Sequence, residues 1–182
     1  MWLQIYLYLP LVFYLNPLMA AKCPTAPKSL QNVQICCPAP MPNWGVYNGE
    51  CGSSGTQPSC RLACIFNATS ALPANHNQLN LSQVRPMLER AFGMPLLIDA
   101  YVKNFGTCSN LVHSKYDQLT KLSHQIDACD RHALFYSLCA YSRLMMNCPT
   151  NLWQKANKKC QEARNYMKTC SWPALKMFMK ST

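Results

Sequence analysis

A chain of 182 residues with twelve cysteines and a formal net charge of +10, from 17 Lys plus Arg against seven Asp plus Glu, is long enough for one domain with a real core and too short for two comfortable ones. So few acids leave little room for a paired-carboxylate hydrolase, and twelve cysteines do not suit a reducing cytosol. The positive excess favours an anionic ligand group, an acidic membrane or an acidic protein surface as neighbour, or else simply solvates helix faces; a nucleic-acid partner is not expected.

Residues 1–21, MWLQIYLYLPLVFYLNPLMAA, carry no charged side chain and end in small residues before Lys22 and Cys23. They read as a secretory signal peptide, cleaved after Ala20 or Ala21, although no Lys or Arg precedes the apolar run. An uncleaved anchor is the rival reading, and Pro10 and the Asn16-Pro17 pair interrupt the spanning helix it would need. The mature chain is then one domain over residues 22–182 in an extracellular setting.

Residues 22–58 read as an extended, turn-rich arm, with prolines at 24, 27, 38, 40, 42 and 58 and glycines at 45, 49, 52 and 55. A helix or central strand does not tolerate that density of missing N–H donors. The helical body spans 59–170. Cys60 and Cys64, at i and i+4, share one helix face. Ser82 is placed to cap a helix running to Phe92, with Gly93 as its stop, and a helix over Pro95 to Phe105 is ended by Gly106. Leu119, Leu122 and Ile126 hint at another. Arg131 to Asn147 carries Leu134, Leu138, Tyr141 and Met145 at steps of 4, 3 and 4, stopped by Pro149. A last helix covers about 152–168, and residues 171–182 form a short tail. No alternating strand is evident, so the fold class is all-α, stapled by disulfides. The sequons Asn67-Ala68-Thr69 and Asn80-Leu81-Ser82 mark Asn67 and Asn80 as glycosylation candidates.

Cys129, Cys139 and Cys148 read as lying inside one amphipathic helical stretch, and at ~1.5 Å per residue neighbouring members of the set are roughly 13–15 Å apart along the axis. That spacing excludes a zinc site built by this segment alone, and no C-x-x-C redox motif occurs. Each sulfur is therefore expected to staple the helix to a different neighbour. Cys36 and Cys37 are likewise expected to take separate partners.

From Cys51 onward the spacing C-x8-C-x3-C-x43-C-x20-C-x9-C-x8-C-P-x10-C-x9-C resembles the Plus-C branch of insect odorant-binding proteins over about residues 51–170. The resemblance puts the family's six core cysteines at Cys51, Cys60, Cys64, Cys108, Cys139 and Cys148. It implies the pairs Cys51–Cys64, Cys60–Cys139 and Cys108–Cys148. The remaining six, Cys23, Cys36, Cys37, Cys129, Cys160 and Cys170, would pair among themselves, and their 15 arrangements stay open. Odorant-binding proteins are usually acidic, and this chain departs from them in its charge. The resemblance implies a compact helical carrier that encloses a small apolar ligand of the odorant, tastant or semiochemical class.

Enzyme signatures are absent. Cys36-Cys37 lacks the His-Asp that follows in secreted phospholipase A2, and no HExxH, GxSxG or nucleotide loop appears. His76, His113, His124 and His132 read as surface or helix-end residues. Asp127, Asp130 and His132 in DACDRH could be metal ligands, but acids at a helix start are commoner as caps and dipole partners. No catalytic residue, metal or cofactor is assigned. The expected function is a secreted, non-catalytic carrier whose pocket is lined by Leu88, Phe92, Leu97, Tyr101, Phe105, Leu134, Leu138, Tyr141 and Met145. The alternative is a secreted interaction or defence protein without a pocket, acting through its basic face. Lys155, Lys158, Lys159, Arg164, Lys168, Lys176 and Lys180 concentrate the charge near the C-terminus.

Overall fold

Prolines at helix starts and apolar residues at helical spacing account for most of the architecture. The computed structural model describes residues 23–39, 41–54, 57–73, 78–93, 95–121 and 129–180. The signal segment, Lys22, His76, Leu122, His124, Ile126 and Asp127 lie outside the described residues, as does the side chain of Lys180. Among the described residues there are eight α-helices and no strand: α1 Val33–Cys36, α2 Asn48–Cys51, α3 Pro58–Ala68, α4 Leu81–Ala91, α5 Pro95–Thr120, α6 His132–Met146, α7 Lys158–Thr169 and α8 Ser171–Lys180. No described helix is long and apolar enough to cross a membrane.

Helix α6 lies at the centre. Ala133, Phe135, Tyr136, Cys139, Ala140, Ser142, Leu144 and Met145 are all buried, covering most of its circumference, as a helix enclosed by others requires. Helices α3, α5, α7 and α8 pack around it, with α5 the principal partner. The arm is mostly irregular, as its prolines dictate. It condenses into two short 3-10 turns, Lys28–Asn32 and Trp44–Tyr47, and the four-residue helices α1 and α2. The Arg61 side chain of α3 binds the second turn through the Trp44 carbonyl and α2 through the Asn48 amide oxygen.

Three element boundaries differ from expectation. Helix α5 does not stop at Gly106 but runs on to Thr120, because Phe105, Cys108, Val112 and Leu119 continue its buried face; a glycine in a helix interior costs only about 1 kcal/mol. Ser82 lies inside the first turn of α4 and donates to Asn80 Oδ1 at 2.7 Å, while Asn80 occupies the N-cap position. Residues 152–157 are turns, so α7 begins at Lys158, and the expected tail is the amphipathic helix α8, with Ala174 and Leu175 buried.

All twelve cysteines are paired. Cys51–Cys64 is the bond the resemblance implies. The other two implied bonds are corrected: Cys60 joins Cys129, and Cys108 joins Cys139. Cys139 sits mid-helix on the side of α6 that packs on α5, which places its Cα 5.9 Å from that of Cys108. Cys60 instead reaches the chain just before α6. With Cys129 and Cys139 as the fifth and sixth core cysteines, the order first-to-third, second-to-fifth and fourth-to-sixth is retained. The remaining bonds are Cys37–Cys148, Cys36–Cys160 and Cys23–Cys170. Cys148 therefore replaces Cys129 in the second set. These three are nested, so the arm runs alongside the C-terminal segment in the opposite sense, and Gln154 N donates to Cys36 O at 3.0 Å between them. The adjacent Cys36 and Cys37 take separate partners, and the three sulfurs at 129, 139 and 148 reach three different segments. Such a framework belongs to extracellular proteins, which mature under oxidising conditions.

Candidate functional site

Four segments converge on a cavity of about 200 Å³. The i, i+4 pair Tyr101 and Phe105 of α5 forms one wall. Leu134, Ser137, Leu138 and Tyr141, one face of α6 at steps of 3, 1 and 3, form the second. Pro58 and Leu62 of α3, again i and i+4, form the third. The arm closes the fourth side with Met41, Pro42 and Trp44. Among the described residues, none that lines it is charged. Met41 is 57 % exposed and marks the opening to solvent.

A continuous run of aromatic contacts backs these walls. Trp44 and Phe66 have ring centres 6.2 Å apart, Phe66 and Phe105 5.9 Å, Tyr101 and Phe105 6.5 Å, and Tyr101 and Phe92 4.9 Å. Tilted ring pairs at these separations are favourable beyond the area they bury, so the wall is preformed rather than assembled around a guest.

Of the nine expected lining residues, Tyr101, Phe105, Leu134, Leu138 and Tyr141 face the cavity. Leu88, Phe92, Leu97 and Met145 do not. They are buried core residues, and Phe92 supports Tyr101 from behind. The arm residues Met41, Pro42 and Trp44, together with Pro58, Leu62 and Ser137, escaped the sequence reading. Ser137 was accessible to it as a helical neighbour of Leu134 and Tyr141, whereas the arm's position depends on disulfides that spacing alone does not assign.

Two hydroxyls of this lining are unusual. Tyr101 is 2 % exposed, and neither its hydroxyl nor that of Ser137 has a hydrogen-bond partner among the described residues. Burial, with a smaller contribution from Tyr141, pushes the Tyr101 phenol well above its ordinary pKa, so it stays neutral. Tyr141 is raised by burial as well.

Asp130 and His132 form a separate cluster with Tyr116. Asp130 Oδ1 accepts from the His132 backbone N–H at 2.8 Å, lies 2.7 Å from His132 Nδ1, and accepts from Tyr116 Oη at 3.3 Å. The Tyr116 ring stacks on His132 with centres 3.7 Å apart. Asp130 thus ties down the start of α6, as a helix-start acid should. His132 is at the helix end but buried, which sequence did not indicate, and His113 is exposed.

The basic residues near the C-terminus differ in their surroundings. Arg164 is turned inward, and Lys176 lies 6.0 Å from the Trp172 ring centre. Lys155, Lys158, Lys159 and Lys168 are exposed. Lys159, with Lys28, borders a shallow groove of about 410 Å³ between the arm and α7, which Glu162 also lines. Asn67 and Asn80 are both exposed. Comparison of the chain with protein-family models, with curated proteins and with solved structures returns no match.

Proposed function

We propose that this is an extracellular, non-catalytic carrier of a small hydrophobic molecule, held in the cavity between α3, α5, α6 and the arm. The observation that carries the reading is the apolar cavity of about 200 Å³ with no charged residue among the described residues of its lining. An apolar cavity of ~150 Å³ accepts benzene, and sites for drug-sized ligands run to ~300–1,000 Å³, so the fitting guest has about ten non-hydrogen atoms. At roughly 0.7–0.8 kcal/mol per atom it binds with about 7–8 kcal/mol, a micromolar dissociation constant. The retained first-to-third, second-to-fifth, fourth-to-sixth order of core disulfides supports a likeness to odorant-binding proteins, and with it the odorant or semiochemical class of ligand.

Titration of the oxidised protein with the environment-sensitive fluorophore 1-naphthylamine, which matches the size of that guest, tests this. Saturable, micromolar fluorescence enhancement is expected, weakened at least tenfold by Leu138→Trp, which fills the cavity from a half-buried position. Absence of saturable enhancement, or enhancement indifferent to Leu138→Trp, contradicts it.

A second reading, docking on an anionic membrane or acidic protein, is favoured by the exposed Lys155, Lys158, Lys159 and Lys168. It requires binding to phosphatidylglycerol vesicles, or to an acidic protein, that weakens steeply with salt.

A further inference from the structure

We infer that a second pocket, between α5, α6 and the start of α8, binds a short-chain carboxylate, with Arg143 pairing with its charge and Ser142 donating to one of its oxygens. The inference does not depend on the carrier reading and concerns a different part of the molecule.

The pocket has a volume of about 130 Å³. At ~100° per residue, Cys139, Ser142, Arg143 and Met146 share a face of α6 turned by about 140° from the face that lines the apolar cavity. Leu111 of α5 and Trp172 and Leu175 of α8 are its apolar walls, and Ser171, the first residue of α8, is exposed at its edge. The Cys108–Cys139 bond fixes α5 against α6 here, so two of the three walls are held without a guest.

Two polar side chains of this pocket lack partners. Arg61, Arg85, Arg90 and Arg164 each bond a carboxylate, an amide oxygen or backbone carbonyls, and Arg131 is engaged as well. The side chain of Arg143, half-buried in the wall, has no hydrogen bond or ion pair among the described residues. Beside it, Ser142 is 2 % exposed, and its hydroxyl does not donate to a carbonyl one turn back as those of Thr107 and Ser114 on α5 do. Nor is that oxygen sealed in the core like those of Ser59 and Ser137, so a guest in the pocket can reach it. An acceptor that carries negative charge satisfies both groups.

The surroundings favour an anion too. The positive end of the α8 dipole lies at Ser171 and Trp172, and Lys176 stands 6.0 Å from the Trp172 ring centre. Among the described residues no Asp or Glu lines the pocket, and the C-terminal carbonyls of α6 at Met146 and Cys148 are already bonded by Arg164. Size sets the rest. A cavity of ~150 Å³ accepts benzene, so this one holds about six non-hydrogen atoms, the number in a four-carbon carboxylate. Its apolar walls suit the alkyl part and give nothing to a phosphate or sulfate, which is polar on every side.

The test is NMR of the full oxidised protein carrying ¹⁵N-labelled tryptophan, at neutral pH and low salt. The indole N–H of Trp172 reports this pocket, that of Trp44 the apolar cavity, and that of Trp153 the Arg164 contact. Butyrate is expected to shift the Trp172 signal saturably, with a dissociation constant of about 1 mM, and to leave Trp44 in place. Butyramide, its uncharged counterpart of equal size, binds there at least tenfold more weakly, and acetate, which lacks two methylenes, roughly three- to tenfold more weakly. Arg143→Gln weakens butyrate at least tenfold, Arg143→Lys by less, and Ser142→Ala roughly threefold. The thermal midpoint of ligand-free Arg143→Gln stays within about 2 °C of the parent, since the guanidinium has no partner to lose. Lys159→Gln, in the arm groove, leaves butyrate binding within about twofold. No shift at Trp172, a shift confined to Trp44, equal binding of butyramide, or indifference to Arg143→Gln overturns the inference. Inorganic phosphate that shifts Trp172 at least as tightly as butyrate also overturns it, since the apolar walls would then play no part. None of these results bears on the carrier reading.

Discussion

The guanidinium of Arg164 lies over the indole of Trp153, 4.8 Å from the ring centre, while its nitrogens donate to Met146 O at 3.3 Å and Cys148 O at 3.1 Å. One side chain of α7 thus caps the C-terminal carbonyls of α6 and places positive charge at the negative end of its dipole. Arg164→Ala is expected to lower unfolding free energy by about 1–2 kcal/mol in urea. Arg164→Lys recovers less than half of that, because an ammonium cannot stack on the ring and span two carbonyls at once.

The Asp130 cluster predicts an acid-sensitive start to α6. Burial alone would raise the Asp130 carboxyl, but the hydrogen bonds from the His132 backbone and ring, and from Tyr116, outweigh it and hold its pKa below the usual value. A group depressed in the folded state stabilises fully above its unfolded pKa of ~3.9 and loses that contribution as pH falls through the folded value. Asp130→Asn should therefore destabilise at pH 7, and the gap between variant and parent should close in urea titrations below about pH 4. A gap that stays constant with pH would assign the effect to packing.

Helix α3 ends at a strained residue. Ser70 has φ of 57°, in the left-handed region, with its N–H bonded to Asn67 O at 2.9 Å. Glycine adopts that conformation without Cβ strain. Ser70→Gly is expected to raise stability by about 0.5–1 kcal/mol in urea unfolding, and a loss of similar size would contradict this account of the cap.

The pairing of cysteines is open to direct chemistry. Proteolysis without reduction, followed by mass spectrometry, should release linked peptides joining Cys60 to Cys129 and Cys108 to Cys139; a peptide joining Cys60 to Cys139 would restore the first expectation. Replacing Cys37 and Cys148 by serine opens a loop of 111 residues and should cost about 4–5 kcal/mol in the chain-entropy model.

Much of this was legible in sequence, for identifiable reasons. The 4, 3, 4 steps of α6 and the proline after Cys148 bound that helix to within a residue, and the impossibility of Cys129, Cys139 and Cys148 meeting followed from helix rise. Gly106 misled because a punctuation residue was weighed above the apolar face continuing through Cys108 and Val112, and packing of that face on α6 decided the outcome. The core disulfides were misassigned by one cysteine, since spacings of eight and nine residues are near-equivalent in sequence and only the direction of Cys139 on its helix separates them. The cavity was half visible: α5 and α6 present lining residues by periodicity, while Met41, Pro42 and Trp44 reach it through an arm with no periodicity to read. Arg164 resembled its lysine neighbours in composition and differs from them only in what it touches.

The central claim is that a small apolar guest sits between α3, α5, α6 and the arm. Intermolecular NOEs between unlabelled decan-1-ol and protein carrying ¹³C-labelled methyls on Leu, Ile and Met test it most directly. Cross-peaks to Met41, Leu62, Leu134 and Leu138, the four methyl-bearing residues of the lining, are the predicted result. Cross-peaks confined to Ile35, in the groove between the arm and α7, or none at saturating ligand, would contradict it.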